Sequence, residues 1–413
     1  MPAGGENTMM SSTDPRSSQP EPATSPARRY GLPPSGAPRA PERVVDLDEG
    51  PPAHCHVRLA DEYTGLGTLL TGLAMLAGRG RARLTWECVP RPAPLDTGAW
   101  HLRDKAASNA ELVVDGRHQV FIDIHDSFEI DEPALARCDV YFKRSLQAAA
   151  LSATALAKVR ALGLVNYVHP DGIDLQQLRR LLQYRMTPAT RVAALARVAA
   201  ATAAGMLGRG GRPTLSLISG APTRTREPQV LFMAGLWDPS LVPDAAPEKI
   251  AEFEAVNEMR AECIRVLRRE FGARFHGGVQ HSEFARAHFP DVLLGNGAQG
   301  GKRAFLERVR RTPICVTTTG LHGSNGWKLV EYVGLSRAIV SEPLRYVVAG
   351  DFVAGRHYLA FTTPAECAAQ VERLMTRHDE REAMMEANQR YADEWMRPDR
   401  LAWRVIQAAR GGR

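Results

Sequence analysis

The sequence has no run of ~18 or more apolar residues, the length a membrane-spanning helix needs. Its least polar stretch, Val198–Gly208, is short and mostly alanine. The N-terminus lacks the charged head and apolar middle of a signal peptide, so a cytoplasmic location is the expectation. The six cysteines, Cys55, Cys88, Cys138, Cys263, Cys315 and Cys367, stand far apart. That spacing excludes paired zinc motifs and a dense disulfide framework. They read as small buried hydrophobes in a reducing compartment. Charge of one sign is thin as well: the formal net charge is +6 over 413 residues. The arginines are scattered among acids, and no dense basic face with aromatic platforms argues for a nucleic-acid partner. A mildly positive cleft for an anionic substrate is compatible with this balance.

The apolar content of 44% and charged content of 24% are those of a globular protein. At this length one core does not suffice, and two domains are expected. Residues 1–53 are rich in Pro, Ser, Gly and Ala and poor in large apolar side chains. Such a segment cannot offset its ordering entropy, so it is expected to be a disordered tail.

From His54 the pattern becomes strand, glycine loop, helix, strand: Cys55–Leu59, Thr64-Gly65-Leu66-Gly67, Thr68–Ala77, Arg83–Cys88. Further strands are expected at Gln119–Ile124, Asp139–Phe142 and Leu164–Val168, followed by helical sequence from Leu175 to about Gly208. This defines an N-terminal α/β domain over 54–210. The Gly-, Pro- and Arg-rich stretch 211–228 reads as a linker. The lightly basic alanine-rich helical stretch is compatible with a peripheral membrane contact. A second α/β series occupies 229–395, with strands at Val230–Ala234, Phe275–Gly277, Val292–Leu294, Ile314–Thr317, Ala338–Val340 and Tyr358–Phe361 and a long helix Pro247–Phe271. Residues 396–413 read as a C-terminal tail or helix. The fold class is therefore α/β, with two tandem Rossmann-like doubly wound domains after a disordered tail.

The most informative stretch is Thr317–Val333. A strand runs into a loop holding Gly320, Gly323 and Gly326, then into a helix that Ser324 or Asn325 can cap. Backbone N–H groups at such a helix start, together with its dipole, favour an anion. Lys328 can neutralise phosphate charge, and a carboxylate at Glu331 can accept hydrogen bonds from ribose hydroxyls.

Lys328-Leu329-Val330-Glu331-Tyr332-Val333-Gly334 followed by Ala338-Ile339-Val340-Ser341-Glu342 resembles the nucleotide-sugar motif of group 1 GT-B glycosyltransferases. Gly350–Glu366 is similar to a downstream signature of the same families, and the nearest branch in resemblance is the CgeB-like group. The resemblance covers Ile314–Met375 strongly and extends from Val230. It implies a nucleotide-sugar site formed by Gly320, Ser324, Asn325, Gly326, Lys328, Glu331 and, secondarily, Glu342. It departs from the family at Gly323, where many retaining enzymes carry a second acid. It departs again at Gly235-Leu236-Trp237-Asp238-Pro239, which lacks the family's Arg and Lys.

In a GT-B enzyme the acceptor domain comes first and its loops complete the cleft. His125 and Asp126 follow a strand, and either could serve as general base for an acceptor hydroxyl. Lys143-Arg144 ends the next strand and could hold phosphate or an acceptor anion. Gly65 and Gly67 would let backbone approach a ligand, although Leu70 breaks the dinucleotide fingerprint. No Asp-x-Asp falls in a convincing loop, which argues against a metal-dependent GT-A enzyme. No metal and no cofactor are expected beyond the sugar nucleotide as substrate. The resemblance thus implies a hexosyltransferase-type enzyme passing a sugar to a hydroxyl acceptor, in the manner of polysaccharide biosynthesis. Two other readings stand beside it: a Rossmann-type oxidoreductase or epimerase, and a non-catalytic, degenerate GT-B sugar-binding protein.

Overall fold

The computed structural model describes residues 44–59, 64–88, 109–183, 187–207, 212–242, 246–295 and 301–411. The chain forms two α/β units, each built on its own sheet. The first sheet has strands β1 (Ala53–Leu59), β2 (Ala82–Cys88), β3 (Asn109–Val114), β4 (His118–Asp123), β5 (Val140–Lys143) and β6 (Val159–Ala161). Their order is β2-β1-β3-β4-β5-β6. The second has β7 (Val230–Ala234), β8 (Phe275–Val279), β9 (Ile314–Thr317), β10 (Ala338–Ser341) and β11 (Leu359–Ala360), in the order β11-β10-β9-β7-β8. All of its pairings are parallel. β7 and β9 are buried along their whole length, the pattern of a parallel strand covered by helices on both faces. β1 alternates, with Ala53, Cys55, Val57 and Leu59 inward and His54, His56 and Arg58 turned toward solvent.

The first sheet is mixed, not purely parallel. β3 runs antiparallel to both β1 and β4. The hairpin is made by Asp115 and Gly116, whose φ values of 54° and 72° place both in the left-handed region that a primed turn requires. The strand expected at Leu164–Val168 is instead a buried connector after β6. Its backbone is satisfied by side chains: Thr68 Oγ1 donates to the Asn166 carbonyl at 2.9 Å and Thr71 Oγ1 to the Val168 carbonyl at 2.7 Å. Its apolar residues Leu164, Val165 and Val168 are buried, so it carries the pattern of a strand without the pairing. Val292–Leu294 likewise contributes only a bridge, between Leu293 and Val279.

The C-terminal segment is not a tail. The helix Pro398–Ala409 returns to the first domain and packs on the helix Gly67–Gly78. Leu401, Ala402, Trp403, Val405 and Ile406 join the core that holds β1. The first part of the fold also begins earlier than composition suggests. Val44, Val45 and Leu47 pack against these cores, and Ala53 already belongs to β1. Arg410 donates to the carbonyls of Pro51 and Pro52 and to the Asp115 carboxylate. Residues 1–43 of the expected tail lie outside the described residues. The expected linker is likewise anchored within 212–228: the fully buried Arg337 donates to Thr223 Oγ1 at 2.6 Å and to the Ala221 carbonyl.

At the joint between the two helices, Gly72 sits against the Pro398 carbonyl, where an added Cβ would overlap that oxygen and come within 2.8 Å of Ala402 Cβ. Gly72→Ala is therefore expected to lower stability by about 1–3 kcal/mol through overpacking. Gly78→Ala, at a position with open space around it, should leave the urea midpoint unchanged or slightly raised. Urea unfolding of both variants checks this.

Candidate active-site cleft

A cavity of about 600 Å³ opens between the two domains. The first domain contributes Ile124, His125 and Asp126 from the end of β4, and Arg144 from the end of β5. The second contributes the end of β7 with Gly235-Leu236-Trp237, the loop after β9 and the start of the helix Trp327–Gly334. The carboxyl ends of the strands in both sheets therefore face one another, where open α/β folds place their ligands.

Arg144 joins the two walls. It is buried, pairs with the Asp126 carboxylate, donates to the Asn325 carbonyl at 2.8 Å and lies 4.5 Å over the Trp327 ring. His125 is held by its own backbone, whose N–H donates to Asp123 Oδ1 at 2.8 Å. The Ser127 N–H donates to His125 Nδ1 at 3.2 Å, which leaves the proton of the neutral ring on Nε2. The Asp126 side chain is 47% exposed and keeps water or ligand access.

In the loop after β9, Gly320 N–H donates to the Ser324 carbonyl at 2.9 Å. Ser324 and Asn325 are buried, and Asn325 Oδ1 has no hydrogen-bond partner among the described residues. Gly326 is the N-cap and supplies no capping side chain. The first turn of the helix therefore meets the cavity with Gly326, Trp327 and Lys328. Burial and the nearby Arg260 guanidinium push the Lys328 ammonium down to about 8, with Lys302 adding to this and Glu331 opposing it.

Position 323, where the motif this segment resembles has an acid, disfavours a side chain. Gly323 has φ of 69°, and a Cβ there would overlap the Arg345 side chain. Its neighbour His322 also takes a positive φ, 59°. The His322 N–H donates to the Glu252 carboxylate, and its Nε2 lies 3.2 Å from Lys249 Nζ. Burial and Lys249 lower the His322 pKa, which Glu252, Asp126 and Glu129 partly offset.

Five of the expected site residues stand elsewhere. Lys143 is fully buried and pairs with Asp123 at 2.8 Å, beside a 2.6 Å hydrogen bond from Tyr141 to the same oxygen. Its ammonium neutralises a core carboxylate and does not line the cleft. Glu331 is 1% exposed and pairs with Lys302, so its carboxylate is occupied and turned out of the cavity. Glu342 accepts from the Thr319 N–H and Oγ1, both at 2.9 Å, and so braces the loop. Gly65 is buried. A Cβ at Gly67 would stand 2.8 Å from the Val168 nitrogen, so that glycine serves packing.

The sequence reading missed Arg260, Lys249, Gln280, Trp237 and His322, all of which line the cleft. Arg260 donates to Thr318 Oγ1 at 3.0 Å, the Gly235 carbonyl at 2.8 Å and the Thr319 carbonyl at 3.3 Å. The cations absent after β7 are thus supplied by the helix Pro247–Phe271. Lys249 and Arg260 are separated by three helical turns and share a face with Phe253 and Val256. That spacing, charge placed on the apolar side of a long helix, was the available signal.

No family model matches the chain, and no curated protein does. Solved structures with similar folds include Anabaena HepE in complex with UDP-glucose, at 11% identity and TM-score 0.42 over 87% of this chain and all of that one. They also include TarM, at 11% identity and TM-score 0.33 over 46% of this chain. A third is the UDP-GlcNAc 2-epimerase from Neisseria meningitidis, at 11% identity and TM-score 0.34 over 68% of this chain. The chain spans 37% of TarM and 63% of the epimerase.

The electrostatics of Lys328 can be measured directly. Trace acylation of the folded chain over a pH series should titrate Lys328 near 8, against about 10.4 for an ordinary lysine. Glu331→Gln should lower that value further, because it removes the negative charge that favours the ammonium. Peptide mass spectrometry reads both, and a Lys328 that titrates with the surface lysines contradicts the described environment.

Proposed function

We propose that the chain is a glycosyltransferase that moves a sugar from a nucleotide-activated donor to a hydroxyl acceptor. The observation that carries this reading is the composition of the cleft. One wall presents an uncapped helix start with Lys328, Arg260 and Lys249, and the facing wall presents Asp126 and His125. The first wall suits a diphosphate: N–H groups and the helix dipole favour negative charge, and guanidinium and ammonium groups hold phosphate oxygens. The second wall offers a carboxylate for an acceptor hydroxyl.

In the proposed reaction the acceptor oxygen attacks the anomeric carbon while Asp126 takes its proton. The bond between the anomeric carbon and the phosphate oxygen breaks, and its electron pair leaves with the nucleoside diphosphate. Arg260, Lys328 and the helix start stabilise that charge as it develops. Arg144 fixes Asp126 against the donor loop, and His125 Nε2–H serves as a donor to the acceptor. Asn325 Oδ1 is an acceptor atom available to a donor hydroxyl. Glu331 acts through its pair with Lys302 and by favouring the charged form of Lys328 beside the diphosphate, in place of the direct ribose contact the motif suggests.

The test is thermal stabilisation by a panel of nucleoside diphosphates. A ligand at a hundred times its dissociation constant should add about 2.7 kcal/mol. Arg260→Ala should weaken the responding nucleotide about tenfold or more, the loss of a charged hydrogen bond. Asp126→Asn should keep nucleotide binding while lowering donor turnover by roughly 10²–10⁴. No stabilisation by any nucleoside diphosphate, or full turnover by Asp126→Asn, overturns the corresponding part of the reading.

A further inference from the structure

The helix Leu175–Gln183 buries polar side chains and leaves part of its apolar surface outside. Three of its polar residues face the protein: Gln176 accepts from Trp86 Nε1 at 3.1 Å, Gln177 accepts from Arg212 at 2.6 Å, and Arg180 lies 4.7 Å over the Trp86 ring and 3.7 Å from Asp174. Leu181 is buried and Leu178 half-buried, but two of its four leucines face outward. Leu175 is 62% exposed and Leu182 57%, one face of the helix at i and i+7, with Arg179 between them. The next helix, Pro188–Met206, packs beside it. It has Ala194 as its one buried residue among those described and exposes Val192 at 66%. Ile173 and Leu207, at the outer ends of this two-helix segment in sequence, are exposed as well. Five of the seven exposed large hydrophobics among the described residues thus fall within 173–207. Exposed apolar patches of this kind mark an interaction surface.

The charge of the patch identifies the partner. No aspartate or glutamate occurs between Asp174 and Glu227, while Arg179, Arg191 and Arg197 lie on these two helices. A two-fold contact with a second copy would set these arginines against each other. Nucleic acid would call for aromatic platforms, and the exposed large hydrophobics among the described residues here are aliphatic. Aliphatic side chains interleaved with arginine fit the boundary between headgroups and acyl chains of an anionic bilayer. We propose that the face formed by Leu175–Gln183 and Pro188–Met206 docks the protein on an anionic membrane surface. Among the described residues no helix is long and apolar enough to cross a membrane, so the contact is peripheral. It does not depend on the transfer reading, because the patch lies apart from the residues that line the cleft.

The test is co-sedimentation of the full chain with vesicles of phosphatidylcholine alone or mixed with phosphatidylglycerol. Binding to the mixed vesicles is expected to be at least about tenfold tighter and to weaken as salt rises. Leu175→Gln/Leu182→Gln/Val192→Gln should abolish it. Arg179→Gln/Arg197→Gln should weaken it by about tenfold or more. Because all five side chains are exposed, circular dichroism and any stabilisation by nucleoside diphosphates should match the unchanged protein. Equal or absent binding to the two vesicle types overturns the proposal. So does a dimer in light scattering that the triple variant dissociates, or tighter binding to an oligonucleotide than to the mixed vesicles. Strong hydrogen-exchange protection of both helices without vesicles would overturn it too, assigning the face to another segment of this chain.

Discussion

The cleft depends on one buried cation. Arg144 leaves the first sheet at the end of β5 and satisfies three groups at once: the Asp126 carboxylate, the Asn325 carbonyl and the face of Trp327. The planar guanidinium can do this because its donors point along fixed directions while its face stacks on an aromatic ring. An ammonium could match the charge but not the three-way geometry. A buried guanidinium without partners would be costly, so this arrangement favours one separation of the domains. That separation places the base candidate and the donor loop across the same cavity.

The second wall follows from the same cost. Burial and the charges of Arg260 and Lys302 favour loss of a proton from Lys328, which is depressed to about 8. Glu331 offsets this from beneath, paired with Lys302 and attracting Lys328. Carboxylate in the wall and cations at the surface give the cleft a charge that suits the proposed diphosphate. The loop above is shaped by comparable constraints. Glu342 fixes Thr319, Arg345 crowds position 323, and His322 is driven to a positive φ while Glu252 holds its N–H. Gly323 thus suits a backbone turn with φ of 69° against which Arg345 packs.

Much of this was legible in the sequence where local signals and tertiary roles agree. β7, β9 and the helix Pro247–Phe271 fall where strand and helix patterns put them. The Gly320–Lys328 turn lines the cleft as its glycines and helix start suggest. Other features were not legible, because what decides them is distant in sequence. Whether Lys143 faces a ligand or Asp123 depends on which side of β5 is core. Arg260 reads as one arginine among many until the fold sets it against Gly235 and Thr318. The segment from Val44 to Pro52 looks like tail until Arg400 and Arg410, far along the chain, supply donors for its carbonyls. The Asp115-Gly116 turn was a local signal for the β3–β4 hairpin, and it outweighs the general expectation of parallel strands.

The helices between 175 and 207 show the limit of periodicity itself. A 3.6-residue pattern establishes that a helix has an apolar face, but not which way that face points. Leu175–Gln183 would ordinarily be docked by its leucines. Here Trp86 and Asp174 offer Gln176 and Arg180 better partners than solvent does, and Arg212 does the same for Gln177. A glutamine or arginine buried with its partners loses little, whereas Leu175 and Leu182, left outside, lose the burial that Leu181 keeps. That imbalance is sustained by whatever covers the outer face. The absence of acids from this stretch is the charge argument behind the proposed membrane contact, which is both apolar and negative.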